Sequence, residues 1–592
     1  SNLRLGVNAG NSIASGGNYN VVVGDEAGTA LTTGDNNVAI GYEALVTEDA
    51  DGDNVAIGYR ALKTLNAGTT GSNVAIGMNA GLAMTTGNKN TLVGSTFTGI
   101  ALTTGVLNVA VGYGALTSDT AGDESVAIGR SALNAQNFST NTNSYNVAVG
   151  AAAGAAVTTG TFNTLVGGLA GDALTDADKN TAIGYAALGA DTLGSLSTAV
   201  GRMALTSQNF TTATDTYNVA VGHNAGLLVT TGTNNTLIGG LAGDALTDGN
   251  QNVAVGYSAL SAEIRGDKNI AIGAGALQVQ SNSTDVDAFN VAVGHAAGAA
   301  VTTGTQNTYI GGLAGDAATA SVENVAVGYQ SLSADTLGSK SVAIGRMALL
   351  SQNLTTATDV YNVAVGHNAG QQITTGIQNT LIGGLAGDAL TDADYNVAIG
   401  KEALTRDTLG SRSVAIGTFT LNQQNFTTAT NTYNTAVGYN AGGANTTGET
   451  NTFLGATAGA ANTSGNNNSA MGYAALFTNV LSDRNVAVGN NTLYSHNQAT
   501  SVDSYNVAVG YDAGSAVTTG VQNTLIGGLA GDALTDADHN VVVGYAALSS
   551  DTLGSKSIAI GHAALQVQNF VTATDAYNVA VGYNAGQQIT TG

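Results

Sequence analysis

Residues 362–433 decide the fold, because they contain four versions of one motif: NVAVGHNAGQQITTGIQ (362–378), NTLIGGLAGDALTDADY (379–395), NVAIGKEALTRDTLGSR (396–412) and SVAIGTFTLNQQNFTTATNTY (413–433). Each version begins with Asn or Ser and has Gly as its fifth residue. The first three versions have equal length, and the fourth is longer by a short insert. Together they form one 72-residue unit. Self-similarity at a fixed period indicates a repeat architecture.

The same motif covers the whole sequence of 592 residues. It starts 33 times between Asn2 and Asn578, with Asn at 28 starts and Ser at five. Residues 1–145 form less regular coils, and residues 146–577 form six 72-residue super-repeats of four coils each. Residues 578–592 begin a further, truncated coil. Because the sequence begins at Ser1 without Met and stops inside a coil, we expect further terminal segments that attach the protein to other proteins.

Positions 2 to 4 of the motif predict a short strand. Positions 2 and 4 are mostly Val, Ile, Leu or Thr, and position 3 is usually Ala. This period of two is typical of a strand with β-branched residues on one face. We predict that the Val and Ile columns are buried inside each coil. The Ala column then faces away from them and packs closely on another chain.

Two recurring features predict how the coils stack. Only Gly accepts a positive φ or a very close backbone approach without strain, so position 5 is predicted to be a corner of every coil. Position 1 is predicted to form a ladder of Asn side chains along the stack. In the first regular coils the corner glycines are Gly150, Gly167, Gly184, Gly201, Gly222 and Gly239. The Asn ladder there contains Asn146, Asn163, Asn180, Asn218 and Asn235.

The rest of each coil predicts a second short strand and a polar turn. Position 8 is nearly always Ala and position 9 is Leu or Gly, as in the segment 42–45, and a turn such as 158–160 follows. A coil of the 17-residue period is too short for a propeller blade, and the helix of an ankyrin or leucine-rich repeat is missing. We therefore predict an all-β, elongated parallel β-solenoid, or β-roll. One coil buries too little apolar surface to offset its ordering entropy, so we also expect a homo-oligomer.

Composition narrows the function classes. The chain has 82 Gly and no Pro, Cys or Trp, and only 9% of its residues are charged. Without Cys, disulfides and thiolate metal sites are excluded, and without Pro a collagen helix is excluded. The net charge of −24 argues against a nucleic-acid partner. No apolar run is as long as a membrane-spanning helix requires, so membrane insertion is not expected.

The segment Ser341 to Ala348 (SVAIGRMA) resembles the head repeats of trimeric autotransporter adhesins. Residues 37–45 and 362–376 are also similar to repeats in the fibres of tailed bacteriophages. The resemblance implies a homotrimer of parallel, left-handed β-rolls around a threefold axis. Adhesin heads usually have shorter repeats, so the 17-residue period favours the phage-type fibre.

This resemblance implies a structural fibre or shaft of a bacteriophage virion, at the tail or the head, which projects a receptor-binding tip for host attachment. Its location would be extracellular, on the virion surface, and its partners would be two further copies and other virion proteins. The alternative is a bacterial surface adhesin or extracellular filament of the trimeric autotransporter head type, with cell-surface glycans as a candidate partner. An ice-binding solenoid is a weaker alternative, because the Thr residues stand in turns and form no regular T-x-T columns.

Every fourth coil carries four extra residues, which contain aromatic side chains and end at the next motif. These side chains could contact a glycan or a neighbouring fibre, or they could fold over the coil and lock adjacent chains together. We favour the second, structural interpretation. The residues considered are Phe210, Tyr217, Phe426, Tyr433, Phe570 and Tyr577.

Other candidate sites give no sign of catalysis. The acidic turn at 172–178 could bind Ca²⁺ through oxygen ligands, but a solvated turn is the favoured interpretation. His223, His295 and His367 share one motif position at 72-residue intervals, for which we favour a surface or packing role. No Ser, His and Asp arrangement of the kind used for nucleophilic catalysis recurs in the sequence, and no phosphate-binding loop is present. We therefore predict a protein that is not an enzyme and uses no cofactor or metal.

Overall fold

A computed structural model describes residues 1–68 and 71–591. The described residues form strands and turns, with no helix among them. The chain divides into two compact units, Ser1–His295 and Ala296–Gly592. Gly592, the last residue of the truncated coil at 578–592, lies outside the described residues.

The first unit contains one three-residue strand in each coil. Within its described residues these stacking strands number 17 and span Leu3–Leu5, Val21–Val23, Val38–Ile40, Val55–Ile57, Val74–Ile76, Thr91–Val93, Val109–Val111, Val126–Ile128, Val147–Val149, Thr164–Val166, Thr181–Ile183, Thr198–Val200, Val219–Val221, Thr236–Ile238, Val253–Val255, Ile270–Ile272 and Val291–Val293.

The second unit is built in the same way. Its described residues contain 16 stacking strands, which span Thr308–Ile310, Val325–Val327, Val342–Ile344, Val363–Val365, Thr380–Ile382, Val397–Ile399, Val414–Ile416, Thr435–Val437, Thr452–Leu454, Ser469–Met471, Val486–Val488, Val507–Val509, Thr524–Ile526, Val541–Val543, Ile558–Ile560 and Val579–Val581.

Within each unit, successive stacking strands pair in parallel at equal motif positions. Val147 pairs with Thr164 in the first unit, and Val363 pairs with Thr380 in the second, in each case at the equivalent position of the following coil. Each turn of the chain therefore lies on the preceding turn in the same register. This pattern confirms the prediction of an all-β, parallel β-solenoid whose coils follow the 17-residue period.

The orientation of the strand faces differs from the sequence prediction. In every described stacking strand except Leu3–Leu5 the middle residue, at position 3, is buried, and the residues at positions 2 and 4 are half-buried or exposed. Ala182 is fully buried, whereas its neighbour Ile183 is 39% exposed. The prediction that the Val and Ile columns lie inside and the Ala column lies outside is therefore wrong.

The narrow interior of a coil explains this arrangement, because the side chain at position 3 shares its space with the one at position 9. Ala182 at position 3 is matched by the large Leu188 at position 9, and both are fully buried. Leu165 at position 3 is matched by Gly171, where an added Cβ would lie 2.8 Å from Leu165 Cδ2. In a coil with Leu at position 3, Gly at position 9 therefore leaves the space that this side chain needs.

The predicted second strand is also wrong. Positions 6 to 9, such as residues 185–188, form turns in which Ala186 and Leu188 both have a φ of 52°. Backbone bonds still connect the turns of adjacent coils, since Leu188 N donates to Ala204 O at 2.9 Å. A left-handed turn at each of two positions bends this segment too sharply for an extended strand.

The long fourth coil of most super-repeats adds a short parallel pair. In the first unit, Gly194–Ser195 pairs with Thr214–Asp215, and in the second, Gly410–Ser411 pairs with Thr430–Asn431. The remaining two-residue strands among the described residues are Gly122–Asp123, Thr142–Asn143, Gly266–Asp267, Val286–Asp287, Gly338–Ser339, Thr358–Asp359, Gly554–Ser555 and Thr574–Asp575.

Candidate functional site

The corner glycines stand where each stacking strand ends. Gly150 has a φ of +145°, and an added Cβ would lie 2.3 Å from the carbonyl oxygen of Gly167. Both the backbone angle and the contact exclude any side chain at this position. The same geometry holds at the other predicted corners, with φ values between +135° and +143° at Gly167, Gly184, Gly201, Gly222 and Gly239.

The Asn column lies inside each unit and bonds mainly to the backbone. Asn163 is fully buried, its backbone N–H donates to Asn146 Oδ1 at 2.9 Å, and its Nδ2 donates to Ala177 O at 2.8 Å. Asn180 N donates in turn to Asn163 Oδ1 at 3.0 Å. Each side chain therefore joins the start of the next coil to a turn. Asn235 N is bound in the same way by Asn218 Oδ1 at 2.9 Å.

A buried polar network replaces this pattern where Ser stands at position 1. Gln208, which belongs to the long fourth coil, donates from Nε2 to Asp191 Oδ2 at 2.6 Å and to Ser197 Oγ at 2.8 Å. Asn218 Nδ2 donates to Gln208 Oε1 at 2.9 Å. Ser197 Oγ thus accepts a hydrogen bond from this glutamine. The network recurs around Gln136, Gln352, Gln424 and Gln568.

One coil places a histidine where the others have this glutamine. His496 is fully buried in the coil that begins at Asn485, and its Nε2 lies 3.1 Å from Ser504 Oγ. Its Nδ1 is buried without a hydrogen-bond partner among the described residues. Burial lowers the pKa of His496 to about 4, so the ring is neutral at physiological pH.

The aromatic residues of the inserts separate into two groups. Phe210 and Phe426 are buried, and Phe570 is half-buried against Gly554, where an added Cβ would lie 2.7 Å from the ring. The phenylalanines thus fold over the coil. Tyr217, Tyr433 and Tyr577 are exposed instead.

The exposed tyrosine that ends an insert accompanies a basic residue in several coils. Lys340 Nζ lies 2.6 Å from Asp359 Oδ2 and 5.4 Å from the centre of the Tyr361 ring. The hydrogen bond from Lys340 lowers the pKa of Asp359. Arg412 lies between two rings, 5.2 Å from Tyr395 and 5.8 Å from Tyr433. These cation–π contacts orient aromatic rings beside the stacking strands.

The acidic turns bind the neighbouring coil. Asp178 Oδ1 accepts hydrogen bonds from Thr161 N at 2.6 Å and from Thr161 Oγ1 at 2.9 Å, and Asp176 accepts one from Thr159 Oγ1. Burial raises the pKa of Asp172 in the same turn. Across residues 1–68 and 71–591, no group of three or more His, Cys, Asp or Glu side chains is arranged to hold a metal ion.

The histidines at motif position 6 lie on the surface beside the corner. His223 Nε2 lies 3.2 Å from Arg202 Nη1, and His367 Nε2 lies 3.3 Å from Arg346 Nη1. His295 is exposed. Each histidine is therefore close to a side chain of the preceding coil or to solvent.

An apolar surface in each unit is formed by the outer face of its stacking strands, which we call the strand face. It consists of positions 2 and 4 of the motif, occupied mostly by Val, Ile and Thr, and includes exposed Ile183 in the first unit and Ile382, 37% exposed, in the second. Tyrosines follow the corner on one side of this face, as at Tyr185 and Tyr473, both exposed. The tyrosines that end the inserts lie on its other side.

Comparison with family models and with curated proteins gives no match. No family model matches the chain, and no curated protein matches it either. The described part of the chain includes no helix that is long and apolar enough to cross a membrane.

Sequence reasoning missed the strand face and the Gln–Asp–Ser network. A signal for the strand face was present, because Leu, Tyr or Phe at position 3 coincides with Gly at position 9, as in Tyr309 with Gly315 and Phe453 with Gly459. Such an exchange of size between two columns indicates that both point into the same interior. For the network, the signal was the coincidence of Ser at position 1 with a glutamine in the long coil.

Proposed function

We propose that this protein is a structural fibre protein whose chains assemble as a homotrimer through the strand face. The observation that carries the proposal is the row of half-buried and exposed side chains, mostly Val, Ile and Thr, along the stacking strands of each unit. Soluble monomers rarely expose apolar patches larger than a few hundred Å². A surface of this kind is therefore expected to be covered by protein.

A second and third copy of the chain are the partners that fit best. The strand face repeats with the same register as the coils, so identical copies offer a matching pattern of β-branched side chains. Closed symmetry covers such a face without leaving an open surface for further growth. The tyrosines at both sides suit the aromatic composition typical of interfaces, and the net charge of −24 keeps finished assemblies apart.

The fibre role itself rests on the resemblance of the motif to phage-fibre repeats. In this role the repeats set length, and the assembly holds a receptor-binding tip away from a virion. The mechanism is mechanical, because the coils are held together by backbone ladders, corner glycines and buried Asn side chains rather than by a reactive site.

Immunogold electron microscopy with an antibody against this chain tests the fibre role. The antibody is applied to both phage particles and cells of the source culture. Gold on thin appendages of virions is the expected result. Gold on filaments of the bacterial surface would instead support the adhesin alternative. Label confined to the soluble fraction, on no filament of either kind, would contradict both.

A further inference from the structure

The second unit contains an open cleft of about 560 Å³ across three consecutive coils. The coils begin at Asn468, Asn485 and Asn506. All the lining residues lie beyond the corner glycines, at motif positions 6 to 11, and therefore outside the strand face. They are Tyr473, Asn491, Tyr494, Ser495, Asp512, Ser515 and Ala516.

Side-chain substitutions within the repeat explain why the cleft forms here. Position 7 of the fourth coil is Asn491, whereas Met347 occupies the same position two super-repeats earlier. Position 10 of the following coil is Ser515, whereas Gln371 stands there in the earlier copy. Gln371 Nε2 lies 3.9 Å from Met347 Sδ, so these two long side chains meet across the space that is open beside Asn491 and Ser515.

Two tyrosines form the aromatic walls of the cleft, and a ring contact holds one of them in position. Tyr494 stacks on Phe477 with ring centres 5.0 Å apart and an angle of 6° between the planes. Tyr473 is 59% exposed and stands after the corner of the first of the three coils. A rigid tyrosine offers a large contact area at a low entropic cost on binding.

The polar wall supplies both donors and acceptors. Asn491 Nδ2 donates to Asp512 Oδ1 at 3.0 Å, which holds the amide and the carboxylate together. Ser495 N donates to Ser515 O at 3.0 Å, so the two serines lie on adjacent coils at the same place in the cleft. Hydroxyl, amide and carboxylate groups together can bind vicinal hydroxyl groups of a ligand.

We propose that this cleft binds a neutral pyranose unit of a polysaccharide. The C–H groups on one face of a pyranose ring are weakly positive and pack on the negative face of Tyr473 or Tyr494. The hydroxyl groups at the edge of the sugar bond to Asn491, Asp512 and the serines. A volume of about 560 Å³ lies within the range of small-ligand sites.

Charge selects against acidic sugars. Asp512 lines the cleft, and the chain carries a net charge of −24. A uronic or sialic acid would bring a second carboxylate close to Asp512, which is unfavourable. The proposed site adds a lateral sugar contact to a protein whose proposed function is structural, and it does not depend on that function.

The test uses the full chain and defined tetrasaccharides of glucose, galactose and mannose, with tetragalacturonic acid as the charged comparison. Binding is measured by saturation-transfer NMR and by calorimetry. We expect at least one neutral tetrasaccharide to bind and tetragalacturonic acid to bind at least tenfold more weakly. Absence of binding by all three neutral probes would overturn the proposal, as would equal binding of the acidic one.

Three variants locate the site. Tyr473→Ala and the double variant Asn491→Met/Ser515→Gln, which fills the cleft with the pair found at Met347 and Gln371, are expected to weaken binding tenfold or more. Tyr545→Ala is the matched control, because Tyr545 holds the same motif position and is 55% exposed but does not line the cleft.

The filling variant uses a side-chain pair that the repeat already accommodates, so its circular dichroism and melting temperature should match those of the unmodified chain. Unchanged affinity in this variant would show that the sugar binds elsewhere and would overturn the assignment. A loss of affinity in Tyr545→Ala equal to that in Tyr473→Ala would do the same.

Discussion

Gly383 shows how much the fold demands of a single residue. It has a φ of +135°, and an added Cβ would lie 2.5 Å from the carbonyl oxygen of Gly400 in the next coil. The backbone of one coil thus occupies the place of a side chain in the other. This explains why position 5 is Gly in every copy of the motif.

We predict that Gly383→Val destabilises the surrounding coils by several kcal/mol, because both the backbone angle and the contact with Gly400 become unfavourable. Native-state hydrogen exchange of the amides in residues 362–412 measures the effect locally. Gly384→Val is the matched control, since Gly384 has no atom within 4 Å of an added Cβ. Equal protection in the two variants would contradict the corner assignment.

His496 makes the stability of the folded chain depend on pH. Its pKa is about 4 in the folded chain and 6.5 in the unfolded chain, so the unfolded state binds more protons between these two values. Above pH 6.5 the His496 ring therefore does not lower the free energy of unfolding. As the pH falls from 6.5 towards 4, the free energy of unfolding decreases. The loss at the lower end of this range is about 3 kcal/mol.

The substitution His496→Gln removes this dependence, because glutamine occupies the same position in the other long coils. We predict that hydrogen exchange in residues 485–522, after correction for intrinsic rates, becomes faster as the pH is lowered from neutral to the pKa of the buried ring. This acceleration should be larger in the unmodified chain than in His496→Gln. Identical acceleration in both proteins would show that the histidine is not buried as a neutral ring.

At the scale of one coil, the side chains at positions 3 and 9 share a narrow interior space. Phe453 is fully buried at position 3, and an added Cβ at Gly459 would lie 2.2 Å from its Cε1 atom. Other coils divide the same space as Ala with Leu. These two positions therefore exchange size between such coils. Where both are small, as at Ala364 and Gly370, the space is filled by neighbouring coils, since an added Cβ at Gly370 would lie 2.7 Å from Leu381 Cδ1.

A double-mutant cycle tests this coupling. Gly459→Ala should cost about 2–3 kcal/mol in the unmodified chain because its methyl group meets the Phe453 ring. In a Phe453→Ala background the same change should cost about 1 kcal/mol, which is the cost of a left-handed backbone for Ala. Hydrogen exchange in residues 451–467 provides the four free energies, and strict additivity would refute a shared interior.

The repeat period and the Gly column were sufficient to predict the coil length, the parallel stacking and the all-β class. The period of two in the strand could not by itself decide which face is inside, and assigning the larger residues to the interior was wrong because Leu188 or its equivalents already fill it. The cleft was beyond sequence reasoning, since it depends on side chains from three coils, such as Tyr473, Asn491 and Ser515.

At the scale of the whole molecule, the strand face is an apolar surface that lies outside the interior of the coils. Its Val and Ile side chains are the apolar residues that a packed interior would normally contain, yet they point outward along both units. Assembly of three chains through this face would give each of them a second apolar core. The alternative, an uncovered apolar sheet, would favour aggregation.

The state of assembly in solution is therefore the most direct test, measured as the molar mass of the full chain by sedimentation equilibrium. Val365→Lys/Ile382→Lys, which places charges on the strand face, should lower the mass, and Gln371→Lys/Gln372→Lys on the turns should leave it unchanged. For the unmodified chain we predict a single species with three times the chain mass of 58.4 kDa. A stable monomer of 58.4 kDa would contradict the proposal that copies of the chain cover the strand face.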